Sequence, residues 1–93
     1  MILSQPDLAL FCAGSEISKI WAPRLAEKGC KVIDNSSYWR MSANNKLIIP
    51  EINGALVEAL ESPTLIANPN CSTSQLLMAL KPIHDELTIE FIN

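Results

Sequence analysis

The chain has 93 residues, 48% of them hydrophobic, which allows one small domain with a single core. Seven basic residues are scattered among ten acidic ones, and the net charge is -3. The sequence therefore has no basic stripe, and no nucleic-acid partner is expected. The longest apolar run, from Leu8 to Ala13, is too short for a membrane span of about 20 residues, so no membrane partner is expected.

The cysteines and the first residues indicate a reducing compartment. The start of the chain lacks the basic segment and long apolar core of a signal peptide, so we expect a cytoplasmic protein. Three cysteines at irregular spacing, Cys12, Cys30 and Cys71, fit reduced thiols better than a disulfide framework. A single histidine, His84, and the lack of a Cys-x-x-Cys pair argue against a metal site.

A strand followed by a helix is predicted first. The run Asp7–Cys12 is almost wholly apolar, which is typical of a parallel strand buried on both faces. Ser15 is a suitable helix cap, Gly29 is a suitable helix end, and Pro23 predicts a kink or a new turn between them. The apolar residues that recur at helical spacing in this segment are Ile17, Ile20, Trp21 and Leu25.

Two further strands and a second helix follow. Lys31–Asp34 is the second predicted strand, and a polar loop after it covers residues 35–45. Leu47–Ile49 is a short third strand, and it precedes a helix that Asn53 is expected to cap and that runs to about Leu60. Loops at the carboxyl ends of parallel strands are where ligands bind in such sheets.

The last part of the chain predicts a strand, a helix and a final strand. Thr64–Ala67 is the fourth strand, a helix begins at about Ser72, and Pro82 limits or bends it. Leu87–Ile92 alternates enough to predict a fifth strand. The buried stripe expected on the helix is Leu76, Leu77 and Leu80. Strands and helices that alternate through short connections predict an α/β fold, a partial Rossmann-type, mostly parallel sheet with helices packed on it.

Cys71 follows a sharp turn and opens the last predicted helix. The turn is Asn68-Pro69-Asn70, directly after the fourth strand. The free N–H groups and the positive dipole end of a helix N-terminus favour a thiolate, which is the nucleophilic form of cysteine. Cysteine is also common as a small buried hydrophobe, so the local sequence leaves both roles open.

Four sequence blocks together resemble aspartate-semialdehyde dehydrogenase. They stand in the order and at the spacing of that family, and the similarity extends from Asp7 to Asp85, although it covers well under half of the family's enzyme. The combination is far more specific than any single block. The blocks are Ile33–Met41, Pro50–Asn53, Asn68–Thr73 and Ala79–Asp85.

The resemblance implies NADPH-dependent reductive dephosphorylation of β-aspartyl phosphate to aspartate semialdehyde, a step toward lysine, methionine and threonine. Cys71 would be the nucleophile, whose thiolate expels phosphate and leaves a thioester that accepts hydride. Arg40 would bind the substrate phosphate through its planar fork, and Asn70 would contact the substrate. On local grounds alone, Arg40 also fits solvated surface, and Asn70 also fits a turn residue or helix cap.

The resemblance also implies an NADP site and an incomplete domain. Ala13, Gly14 and Asn35 lie at predicted strand ends where the family lines its cofactor cleft, although Gly14 also fits a simple turn of the chain. The three glycines form no Gly-rich phosphate loop. We therefore expect residues 1–93 to be a single incomplete NAD(P)-binding domain that carries the nucleophile, without the C-terminal catalytic and dimerisation domain of the family.

The isolated chain is expected to be inactive, since no residue matches the family's histidine base. His84 is predicted to be a surface residue about three helical turns from Cys71. An alternative is a non-catalytic interaction module that associates through open sheet edges and uncovered apolar faces, and the family itself suggests a homodimer. A redox-sensing Cys71 is a third hypothesis, although no resolving cysteine lies nearby in sequence.

Overall fold

A parallel sheet organises the described part of the chain. The computed structural model describes residues 5–43, 45–59 and 64–93. Its strands pair in the order β1-β2-β4-β3, and each neighbouring pair is parallel. This arrangement confirms the prediction of a partial Rossmann-type α/β fold. The strands are β1 (Leu8–Phe11), β2 (Lys31–Asp34), β3 (Lys46–Leu47) and β4 (Thr64–Ala67).

Both helices continue past the prolines at which the sequence predicts a kink or a new turn (Pro23) and a limit or a bend (Pro82). One helix includes Pro23 and another includes Pro82, because a proline removes only one backbone hydrogen bond and the rest of each helix is retained. Within the residues that the structure describes, no helix combines the length and the apolar character needed to cross a membrane. The helices are α1 (Ser15–Glu27), α2 (Pro50–Asn53), α3 (Ala55–Glu58) and α4 (Cys71–Leu87).

The core lies between α1 and one face of the sheet. Ala22 and Val32 are fully buried in it, and partly buried residues such as Leu25 pack around them. The predicted apolar face of α1 is wrong in part, because Ile17 is 45% and Ile20 is 47% exposed. The helix instead turns small side chains toward the sheet, which lets the two backbones approach closely.

The expectation that β1 is buried on both faces is also wrong. Ala9 and Phe11 pack against the core, whereas Leu8 is 54% and Leu10 is 69% exposed on the other face. In the described sheet β1 is an edge strand, and α1 packs on the side of Ala9 and Phe11. One face of this strand is therefore an uncovered apolar surface.

The segment around Asn53 is arranged differently from the prediction. The third strand is Lys46–Leu47 rather than Leu47–Ile49, and α2 begins at Pro50, so Asn53 ends this helix instead of capping the next. The Asn53 side chain accepts a hydrogen bond from Ile49 N and donates one to Leu47 O, each at 2.9 Å. The predicted helix end at about Leu60 lies outside the described residues.

The predicted fifth strand is not formed. Residues 88–93 have no regular secondary structure, because Thr88, at φ 54°, turns the chain away from α4. The amides of Thr88 and Ile89 donate to the main-chain oxygen and the Nδ1 atom of His84, at 2.8 and 3.1 Å. These bonds to the helix end take the place of sheet pairing. The prediction of a buried stripe on α4 is also wrong, because Leu76 is 51% exposed and Leu77 and Leu80 are only partly buried.

Candidate functional site

A cavity of about 500 Å³ lies at the carboxyl ends of β2 and β4. It contains Asn35, Arg40, Asn70 and Cys71, which are four of the six residues that the sequence predicted for the site. These residues come from two parts of the chain, the loop after β2 and the turn after β4. The full set that lines the cavity is Asn35, Arg40, Asn68, Pro69, Asn70, Cys71, Ser74 and Gln75.

Asn70 caps the helix that Cys71 opens. Asn70 has an extended backbone at φ -68° and ψ 160°, and its Oδ1 accepts a hydrogen bond from Thr73 N at 2.8 Å. Cys71 is the first residue of α4, it is exposed, and it carries a free thiol. The N–H groups of the first helical turn point toward this end of the helix. An anion that reacts with the Cys71 sulfur would therefore meet hydrogen-bond donors.

The Arg40 guanidinium bridges the two turns that form the cavity. Its Nε donates to Asn68 O at 2.9 Å, and its Nη2 donates to Asn35 O at 3.2 Å. These bonds use two of the five N–H groups of an arginine side chain. The loop residue that resemblance singled out is therefore held at the site, with N–H groups left to bind an anion in the cavity.

Asn68 ties the two strand ends together, and the sequence analysis did not single it out as a site residue. Its Nδ2 donates to Asn35 Oδ1 at 2.8 Å, and its backbone N donates to Asp34 O at 2.8 Å. Ser74 and Gln75 were also missed, although their positions three and four residues after Cys71 place them on the same face of a helix. Helical spacing from the cysteine was the signal that could have found them.

Ala13 and Gly14 lie outside this set of lining residues, at the end of the neighbouring strand β1. Both are exposed, and Gly14 has a positive φ of 87°, which favours glycine. Gly14, and not Ser15, occupies the capping position of α1, so the prediction of a Ser15 cap is wrong. Apart from Gly14 itself and its two chain neighbours, nothing lies within 4 Å of the point where a Cβ of Gly14 would be. The backbone is therefore open to close approach by a ligand.

Asn35 connects the two regions. Its backbone N donates to Phe11 O at 2.9 Å, which fixes it beside the end of β1, while its side chain lies in the cavity that contains Cys71. Lys81 and His84 line a different, mainly apolar cavity farther along α4, and Lys81 pairs with Asp85 at 2.9 Å. The arrangement thus places a thiol, an arginine and an open glycine turn at the carboxyl ends of the parallel strands.

Residues 1–60 match the family described as "Semialdehyde dehydrogenase, NAD binding domain". A relative from Vibrio mimicus, named aspartate-semialdehyde dehydrogenase, is 51% identical over 90 residues. The match covers 97% of this chain and 28% of the relative. The chain therefore spans about a quarter of the length of such relatives.

Solved structures give the same result. The crystal structure of aspartate semialdehyde dehydrogenase II complexed with ASA, from Vibrio cholerae, superposes with a TM-score of 0.83 at 49% identity. It covers 89% of this chain, which corresponds to 27% of that protein. An aspartate semialdehyde dehydrogenase with NADP from Candida albicans has a TM-score of 0.71 at 20% identity, over 89% of this chain and 27% of that one, and supports the fold. The resemblance predicted from the four sequence blocks is confirmed.

Proposed function

The chain belongs to the semialdehyde dehydrogenase family through its NAD-binding domain, and we propose that it supplies the nucleophile for reductive dephosphorylation of β-aspartyl phosphate to aspartate semialdehyde. The observation that carries this proposal is the cavity shared by Cys71, Arg40 and Asn70. A thiol at a helix start, next to a guanidinium, suits attack on an acyl group that bears phosphate.

Each of these residues has a definite task in the proposed reaction. The Cys71 thiolate attacks the acyl carbon, the bond from that carbon to the phosphate oxygen breaks, and a thioester remains on the sulfur. The free N–H groups of Arg40 bind the phosphate before and during its departure. Asn70 holds the start of α4 through its cap to Thr73 and contacts the substrate with the rest of its carboxamide.

NADP is proposed at the neighbouring strand end, where Ala13, Gly14 and Asn35 would hold it. The open space beside Gly14 fits such a ligand, because its backbone can be approached without steric conflict. The reduced cofactor supplies a hydride when bound. Asn35 reaches both the end of β1 and the Cys71 cavity, so it would orient the two sites toward each other.

Turnover is proposed to need more than these 93 residues. The relatives are about four times as long, since the match covers 28% of one and 25% of another. A positioned general acid or base contributes typically 10²- to 10⁴-fold to a rate, and we assign that group to the part of the family's enzyme that the match leaves out. We therefore expect the chain alone to form the thioester slowly and not to complete a cycle.

Intact-mass spectrometry tests the nucleophile without requiring turnover. Incubation of the chain with β-aspartyl phosphate, in the absence of NADPH, should add one aspartyl group to Cys71, because no hydride is present to reduce the thioester. Cys71→Ser should abolish this adduct. Cys12→Ser is the matched control, because Cys12 is also exposed and free, and it should leave the adduct unchanged. An adduct that maps to Cys12, or that persists in C71S, would refute the proposed function.

The uncovered face of β1 supports a second proposal, self-association. Leu8 and Leu10 are more than half exposed on an edge strand, and such surfaces recruit partners. Association of two copies through this face would cover both side chains. Light scattering on the chain and on Leu10→Lys tests this, since a defined dimer should become a monomer in the variant. A monomeric native chain would contradict it.

A further inference from the structure

A buried serine of α1 holds the loop that carries Arg40. Ser18 is fully buried, and its Oγ accepts a hydrogen bond from Trp39 Nε1 at 3.0 Å. The two residues are 21 positions apart, and Trp39 immediately precedes Arg40 in the chain. A buried hydroxyl destabilises a protein unless it has a hydrogen-bond partner. The Trp39 indole supplies that partner, so the bond is costly to break.

Neighbouring contacts fix the same aromatic pair. The rings of Tyr38 and Trp39 meet edge to face with centroids 4.7 Å apart, and Lys19 Nζ lies 5.7 Å from the centre of the Tyr38 ring. Consecutive residues of α1, Ser18 and Lys19, therefore contact consecutive residues of the loop. Two adjacent anchors restrict both the position and the direction of the chain at this point.

The beginning of the loop is fixed as well. The buried Asp34 carboxylate accepts a hydrogen bond from the buried Ser36 Oγ, which in turn accepts one from Tyr38 N at 3.3 Å. The loop is therefore held at its start by the bonds to Ser36 Oγ and Asp34, and at α1 by the bond from Trp39 to Ser18. Arg40 follows directly, and its guanidinium spans the carbonyl groups of Asn68 and Asn35.

We propose that Ser18 and Trp39 are positioning residues for Arg40: their hydrogen bond fixes the loop so that the guanidinium stays across the two turns beside Cys71. Both residues lie outside the set that lines the Cys71 cavity, so they act through Arg40. The inference rests on the proposed function, in which Arg40 binds the phosphate of the substrate.

Charge-selective alkylation of Cys71 measures where the guanidinium is. The rate with anionic iodoacetate is divided by the rate with neutral iodoacetamide, each followed at Cys71 by peptide mass spectrometry at low salt. Arg40→Ala should lower this ratio about two- to fivefold, because it removes one positive charge from the cavity that contains the thiol. The difference between native and R40A protein should shrink at high salt.

Ser18→Ala and Trp39→Phe should each lower the ratio toward that of R40A, while the iodoacetamide rate stays unchanged. The double variant should lose no more than either single variant, because both remove the same bond. Met41→Ala is the control, since Met41 follows Arg40 in the same loop and is 95% exposed, and its ratio should equal that of the native chain. Circular dichroism confirms folding, and W39F carries the test if S18A does not fold.

The outcomes separate the two proposals. A ratio that falls in R40A but not in folded S18A or W39F would overturn the positioning role and leave the Arg40 assignment intact. A ratio that R40A leaves unchanged would overturn both. Additive losses in the double variant would also refute the positioning role, because two residues cannot each lose one shared hydrogen bond.

Discussion

Replacing Asn70 by Ala should destabilise α4 by a measurable and bounded amount. The substitution removes the Oδ1 atom that accepts from Thr73 N at 2.8 Å. Loss of such a cap costs about 1 kcal/mol, within a range of roughly 0.5–2. Because this bond is exposed, water can replace part of it, so we expect the middle of the range. For a domain of this size, a loss of 1 kcal/mol lowers Tm by about 4–8 °C.

Asn70→Ser separates the cap from the substrate contact. Serine caps helices about as well as asparagine, so N70S should keep nearly all of the native free energy of unfolding while it loses the carboxamide. Urea denaturation followed by far-UV circular dichroism measures the first effect, and the rate of aspartyl adduct formation at Cys71 measures the second. We expect slower adduct formation in both variants. Equal destabilisation by N70S and N70A, or no destabilisation by N70A, would refute the capping role.

Four further substitutions test the core and an exposed comparison position, one buried thiol and one ion pair. Val32→Ala should cost about 2 kcal/mol by denaturation, because Val32 is fully buried, whereas Val57→Ala, at a 42% exposed position, should cost less than about 0.5. Burial, and secondarily the Asp7 carboxylate, raise the pKa of the Cys30 thiol. The unfolded chain then loses this proton at a lower pH than the folded chain, so stability should fall as the pH rises above about 8.5, and Cys30→Ala should flatten that fall. Asp85→Asn removes the exposed pair with Lys81 and should change stability by less than about 1 kcal/mol.

The sequence predicted the site better than it predicted the surroundings. Cys71 and Asn70 could be identified from the sequence because the turn before a helix has a local chemical signature. Arg40 could be identified because the sequence around it resembles a known family. The structure brings these three residues into one cavity. Asn68 was missed because its task is to hydrogen-bond a residue 33 positions away, and no local pattern reports such a contact.

Burial was the part of the fold that sequence periodicity predicted least well. Ile17, Ile20 and Leu10 are apolar and correctly spaced, yet all three are exposed in the structure. Periodicity identifies the apolar side of an element, but burial also requires another element to cover that side. The predicted fifth strand is not formed for a related reason. Alternating apolar and polar residues form a strand only where a neighbouring strand is available to pair with, and here the amides of Thr88 and Ile89 donate to His84 instead.

The order of the strands in the sheet decides whether the site exists, and this order could not be predicted from the sequence. If the strands followed chain order, β3 would separate β2 from β4, and the turns at Asn35 and Asn68 would lie two strands apart, about 9–10 Å. In the observed order β2 pairs directly with β4, with Asp34 opposite Ala67. The two asparagines can then hydrogen-bond at 2.8 Å, and one guanidinium spans both carbonyl groups. The loop after β2 can therefore serve a cysteine that follows β4 only because the chain places β4 inside the sheet, next to β2.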